Sequence, residues 1–155
     1  MRRVLGVLVV LTGLVLTSCG DDTGGGRGEA DKEPRGPVDF TLAQIVHETA
    51  VGGLVDAGAV ALTDVTAVQQ FAGQFDDDRM TTRLIQTFDD LKVPEHQAAY
   101  AAIVAVGCEV PTDVTVTSTD TGILIEAVKS GEKPVECFAP VTSVAIVYVD
   151  ESVVG

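Results

Sequence analysis

Apolar residues from position 38 onward recur in two rhythms. Val65, Val68, Phe71, Ala72 and Phe75 form one stripe at helical spacing, which predicts a helix through Gln74 with Asp64 as its cap. Asp76-Asp77-Asp78 breaks the stripe, and Asp78 is placed to cap a second helix. The buried face of that helix is Met80, Leu84, Phe88 and Leu91, and Lys92-Val93-Pro94 ends it. Asp39 to Val51 fits both rhythms: Val38, Phe40 and Leu42 alternate like a strand, whereas Leu42, Ile45, Val46, Thr49 and Ala50 follow helical steps. Thr41 with Gln44 would form a capping box, and Gly52-Gly53 would stop a helix, which favours a short helix here. Ala59 to Thr63 reads as a short strand.

From Ala98 the chain turns to small and β-branched residues. Tyr100 to Val106 suits a central strand, although Pro94 and the alanines also allow a helix. Asp113 to Thr117 and Ile123 to Val128 flank Ser118-Thr119-Asp120-Thr121-Gly122 as a hairpin flanks its turn. Along Val141 to Val149, Val144, Ile146 and Tyr148 line one face and Ala145, Val147 and Val149 the other, the pattern of a strand buried on both sides. Helices in the first half and strands in the second predict an α+β domain, a mainly antiparallel sheet with two or three helices packed on one face. All seven aromatic residues (Phe40, Phe71, Phe75, Phe88, Tyr100, Phe138 and Tyr148) occupy apolar-patterned positions and are expected in the core.

Composition fits one domain: 155 residues, 46% hydrophobic and 21% charged. A formal charge of -13 argues against nucleic acid as a partner. The first residues are of another kind. Arg2 and Arg3 precede an apolar run, Val4 to Leu16, whose thirteen residues would span only about 20 Å as a helix, short of the ~30 Å hydrocarbon layer. A removable export signal fits better than a permanent span. Leu16-Thr17-Ser18-Cys19, which closes the run, resembles the bacterial lipoprotein lipobox. The resemblance implies cleavage after Ser18, a diacylglyceryl group on the Cys19 sulfur, and fatty acylation such as palmitate at the new terminus. Residues 1–18 are then a signal peptide, residues 19–37 a lipidated cysteine with its tether, and residues 38–155 the folded domain. Cleavage removes two positive charges and no negative ones, leaving 8 minus 23, or -15. Gly20 to Pro37 holds six glycines and two prolines without apolar periodicity, a flexible tether with a reach of about 23 Å.

With Cys19 acylated, Cys108 and Cys137 remain, in a domain that folds outside the reducing cytoplasm. They are expected to pair, Cys108 at the end of one strand and Cys137 ahead of the last. Their separation lacks the close CxxC spacing of a redox pair, and no His/Cys cluster accompanies them.

Catalytic motifs have little footing. Asp120-Thr121-Gly122 carries the triplet of aspartic peptidases, which need two such aspartates, but it is equally ordinary turn chemistry. Ser130-Gly131-Glu132-Lys133 has the Ser-x-x-Lys spacing of penicillin-binding enzymes without their partner motifs. A histidine-based triad would have to use His47 or His96 with Ser118, Ser130, Ser143 or Ser152, and no Gly-x-Ser-x-Gly elbow occurs. An EF-hand loop begun at Asp76 would need glycine at 81 and an acid at 87, and both are threonine. No metal site, nucleotide site or cofactor is expected.

These features favour a membrane-anchored extracytoplasmic lipoprotein, held to the lipid bilayer by the Cys19 acyl anchor. Its domain is expected to be non-enzymatic and to bind an extracellular protein or a cell-wall component. Loops such as Ser118 to Gly122 and Ser130 to Val135 are the expected contact points. The order of elements (lipobox, tether, helical half, strand-rich half) is similar to that of small bacterial lipoproteins that are protease-complex subunits, which implies modulation of an extracellular protease and transfers no residue. The alternatives are a small hydrolase using Asp120 or His47 and His96, and a ligand-binding lipoprotein feeding a transporter.

Overall fold

The computed structural model describes residues 36–129 and 136–154. The expected signal peptide, Cys19 and Ser130 to Val135 lie outside that range. The first described residues lie within the stretch expected to be tether and are paired: β1 (Gly36–Pro37) runs antiparallel to Ser118 and Thr117. Two residues later the chain enters β2 (Phe40–Thr49).

The helix favoured over Asp39 to Val51 is therefore a strand. β2 pairs along its length with the last strand, and the register slips between Leu42 and Gln44. That bulge accounts for the helix-like spacing. Phe40, Leu42 and Ile45 join one apolar cluster while Ala43 and Val46 join another, so the alternation skips one residue and mimics a step of three. Gly52 and Gly53 are no helix stop either. Both have positive φ, and a Cβ on Gly52 would fall on the Asp76 carboxylate, so close packing of two loops requires the glycine.

β3 (Asp56–Ala61) leads to α1 (Val65–Ala72), whose N-cap is Asp64 as expected, its side chain accepting from the Ala67 amide at 2.9 Å. α2 (Asp78–Asp90) is capped by Asp77 rather than Asp78. Asp77 is extended and accepts from the Arg79 amide, while Asp78 is already helical. Met80 and Leu84 are buried and Phe88 and Leu91 half-buried, the expected face. β4 (Gln97–Gly107), β5 (Val114–Thr119), β6 (Gly122–Ala127) and β7 (Val141–Asp150) follow, and Glu151–Val154 forms a 3-10 turn. β4 and β7 are central and β5 and β6 make the predicted hairpin. Because β2 and β3 precede the helices, the chain is not divided into a helical half and a strand half.

Among the described residues all the pairings are antiparallel, and the seven strands are ordered β1-β5-β6-β3-β4-β7-β2. The first and last members of that order, β1 and β2, are neighbours in the chain, so one bent stretch supplies both sheet margins of a half-barrel. Alternation along β4 and β7 builds two apolar clusters. Tyr100, Ala102, Val104, Ala145, Val147 and Val149 pack with Val116, Ile123 and Ile125 of the hairpin. Ala99, Ala101, Ile103, Val144, Ile146 and Tyr148 share a cluster with Val68, Phe71, Met80 and Leu84 of the helices.

Cys108 and Cys137 are joined, with an S–S distance of 2.06 Å. The bridge lies beside the pair Gly107 and Val141, so it ties the end of β4 to the approach to β7.

Candidate interaction surface

Strand pairing decides which loops share an end of the half-barrel. Thr49 and Gly107 both pair with Val141, and Val114 pairs with Ala127, so the segments after β2, β4 and β6 and before β3, β5 and β7 gather at one end. The β5–β6 turn, Gln97, Asp150 and the chain entry at Gly36 lie at the other.

At the first end the segment between β2 and β3 is fixed at three points. The Ala50 amide donates to Pro140 O at 2.9 Å, the Thr142 hydroxyl to Gly52 O at 2.7 Å, and the Asp76 amide to Val51 O at 2.9 Å. Val51 is fully buried. The next apolar residues go the other way: Leu54 is 83% and Val55 58% exposed. Val106 lies opposite Thr142 in the β4–β7 ladder and so shares its face, also exposed. Phe138, next to the bridged Cys137, is wholly exposed, which corrects the expectation that every aromatic is a core residue. Its segment has no strand partner to bring it inward. Val128, exposed as well, is tied to this end by the hydrogen bond its amide donates to Asp113 O. Five of the eight large exposed hydrophobic residues among the described residues thus sit at one end. Scattered singly they would need no explanation, but their gathering at one end of the fold makes that end the candidate contact surface.

Two recesses adjoin it. One, about 380 Å³, is lined by Gly52, Gly53, Leu54, Gln74 and Asp76. The other, about 340 Å³, lies over the outer margin of β2 and includes Glu48, Asp77, Arg79 and Arg83. There Glu48, Asp77 and both arginines are already engaged. Arg79 pairs with Asp77 at 3.0 Å and Arg83 with Glu48 at 3.1 Å, and the two guanidiniums also donate to Thr49 O and His47 O at 3.2 Å. These arginines cover carbonyls on an open strand margin, which protects it from pairing with another chain. Hydrogen bonds from Arg79 hold the Asp77 carboxyl below its ordinary pKa. The Asp76-Asp77-Asp78 run is therefore three unlike residues: a carboxylate against Gly52, a helix cap and the first helical residue.

The sequence-predicted sites fall elsewhere. Asp120 is in the β5–β6 turn at the far end, where Thr119, Thr121 and Gly122 bond among themselves. Ser118 is buried there, its hydroxyl directed to Val153 O at 3.4 Å, so of the expected Ser118 to Gly122 contact loop the first residue is core. Ser130 to Val135 lies outside the described residues. His96 has φ 63 and its carbonyl accepts the Glu151 amide at 3.0 Å. Ser152 bonds Asp150, whose carboxyl pKa is lowered by those bonds. Two histidine–serine pairs come together: His96 and Ser152 around Asp150, whose carboxyl the serine already occupies, and His47 and Ser143, opposite one another in the β2–β7 ladder. Ser143 is 0% exposed and its Oγ has no hydrogen-bond partner, so it is not presented to a substrate. Among the described residues no group of three or more His, Cys, Asp or Glu side chains could hold a metal ion, and no helix is long and apolar enough to cross a membrane.

Nothing in the sequence marked these residues as a surface: Leu54 and Val55 follow neither rhythm, and Phe138 read as a core residue. Compared with known proteins, the chain matches no family model, and no curated protein or solved structure is significantly similar to it.

Proposed function

We propose that this chain is a lipid-anchored extracytoplasmic lipoprotein whose domain acts without catalysis, by binding another protein through the end that carries Leu54, Val55, Val106 and Phe138. The observation that carries the binding role is that these apolar side chains stand exposed on segments braced by three hydrogen bonds and a disulfide. Holding hydrophobic surface in water is unfavourable, and burial against a partner recovers that free energy. The anchor is supported by the leader and by Leu16-Thr17-Ser18-Cys19. The geometry suits both parts. The chain enters the fold beside the β5–β6 turn, at the end opposite the apolar one. In this view the helices cover one face of the sheet as a passive layer, and an extracellular protease is one protein whose activity such a module would modulate.

Two experiments test the proposal. Palmitate labelling should mark the parent and not Cys19→Ala, and only the parent should fractionate with membrane. A photo-reactive phenylalanine analogue at position 138 or 54 should crosslink to a protein in intact cells, whereas the same probe at Asp120 should not. Equal or absent crosslinking at all three positions would reject the surface.

A further inference from the structure

Granted that this end binds a protein, we infer that the recess beside Leu54 is a socket for a lysine or arginine side chain of the partner. Its lining has the required chemistry. Asp76 is exposed, its backbone amide is held by Val51 O, and its carboxylate, packed over Gly52, has no hydrogen bond or ion pair among the described residues. In that it differs from Asp77, which Arg79 occupies. Gln74 donates its Nε2 to Phe71 O at 2.7 Å, which orients the amide and leaves Oε1 as an acceptor. The side chains of the recess therefore offer acceptors at Asp76 and Gln74 and an apolar wall at Leu54. A cationic head with a methylene stem matches both, the stem along Leu54 and the head on Asp76. At about 380 Å³ the space is ample for one such side chain. A metal ion matches poorly, since one carboxylate and one amide are too few ligands. The wider charge agrees: a chain of net charge -13 attracts basic partners and repels acidic ones.

The test uses the full chain in detergent micelles, labelled with nitrogen-15, and three blocked tripeptides: Leu-Arg-Leu, its neutral isostere Leu-citrulline-Leu, and Leu-Glu-Leu. The arginine peptide should shift the Gly52 and Gly53 amide signals at concentrations up to about 10 mM. The citrulline peptide should bind about threefold to tenfold more weakly, and Asp76→Asn should weaken the arginine peptide by a similar factor without further weakening the citrulline one. Leu-Glu-Leu should not bind. Equal binding of the arginine and citrulline peptides, an Asp76→Asn chain that binds the arginine peptide undiminished, or no shift at Gly52 and Gly53 would each overturn the socket. Those outcomes leave the crosslinks at 54 and 138 untouched, so loss of the socket and loss of the binding surface are told apart.

Discussion

Reducing the Cys108–Cys137 bridge should weaken the domain by a predictable amount without unfolding it. The two cysteines are 29 residues apart in sequence, and closing a loop of that length removes about 3.6 kcal/mol of unfolded-chain entropy at 25 °C. The folded state has little to lose, because Gly107 and Val141 remain paired by the ladder next to the bridge. A domain of this size has a stability of about 5–15 kcal/mol, so the reduced protein should stay folded. With a urea slope of about 1.5 kcal/mol per molar, the midpoint should fall by about 2 M. The slope itself should rise, because an unfolded chain freed of its loop exposes more surface. The assay is urea unfolding followed by circular dichroism, with and without reductant, beside a Cys108→Ala/Cys137→Ala variant. A midpoint drop under about 0.5 M with an unchanged slope would refute the idea that the bridge acts on the unfolded chain.

Three other outcomes follow from local geometry. Gly52→Ala combines a positive φ of 73° with a Cβ placed on the Asp76 carboxylate, so it should cost about 2–3 kcal/mol in urea unfolding. Adding Asp76→Gly should recover the steric part, and additive losses would contradict the contact. Ser143→Ala removes a fully buried hydroxyl with no partner and should raise stability by about 1 kcal/mol, whereas a loss would mean that the hydroxyl is satisfied. The Asp77 and Asp150 carboxyls are held below their ordinary values by bonds from Arg79 and Ser152 respectively. A lowered folded pKa contributes stability that is complete above the unfolded value, about pH 4, and is lost as pH falls through the folded one. Asp77→Asn should accordingly flatten the acid side of the urea-midpoint profile, and curves parallel to the parent's would count against it.

Legibility in the sequence followed the strength of local periodicity. β4, β7 and the β5–β6 hairpin are visible because their apolar residues alternate without interruption, and α1 because Asp64 stands before a clean stripe. β2 was obscured by one bulge, where a skipped residue gave strand positions the spacing of a helix. Pairing with β7 outweighed the capping signals of Thr41 and Gln44, which act only locally. The cystine was legible by elimination, once the resemblance of Leu16-Thr17-Ser18-Cys19 to a lipobox set Cys19 aside. The apolar end was not, since it depends on which loops the topology gathers. Leu54 and Phe138, 84 positions apart, become parts of one surface only through the register of three strands.

The placement of the chain entry has a mechanical consequence. If the anchor and partner are as proposed, a partner held at Phe138 and a pull at Gly36 would load the domain from opposite ends, along the strand axes. The force then runs lengthwise through β2, whose ladder to β7 must slide as a block instead of opening one rung at a time. Such shear loading is the stiffer direction of a sheet, so on the proposed arrangement the domain would carry tension between its two ends rather than unravel under it.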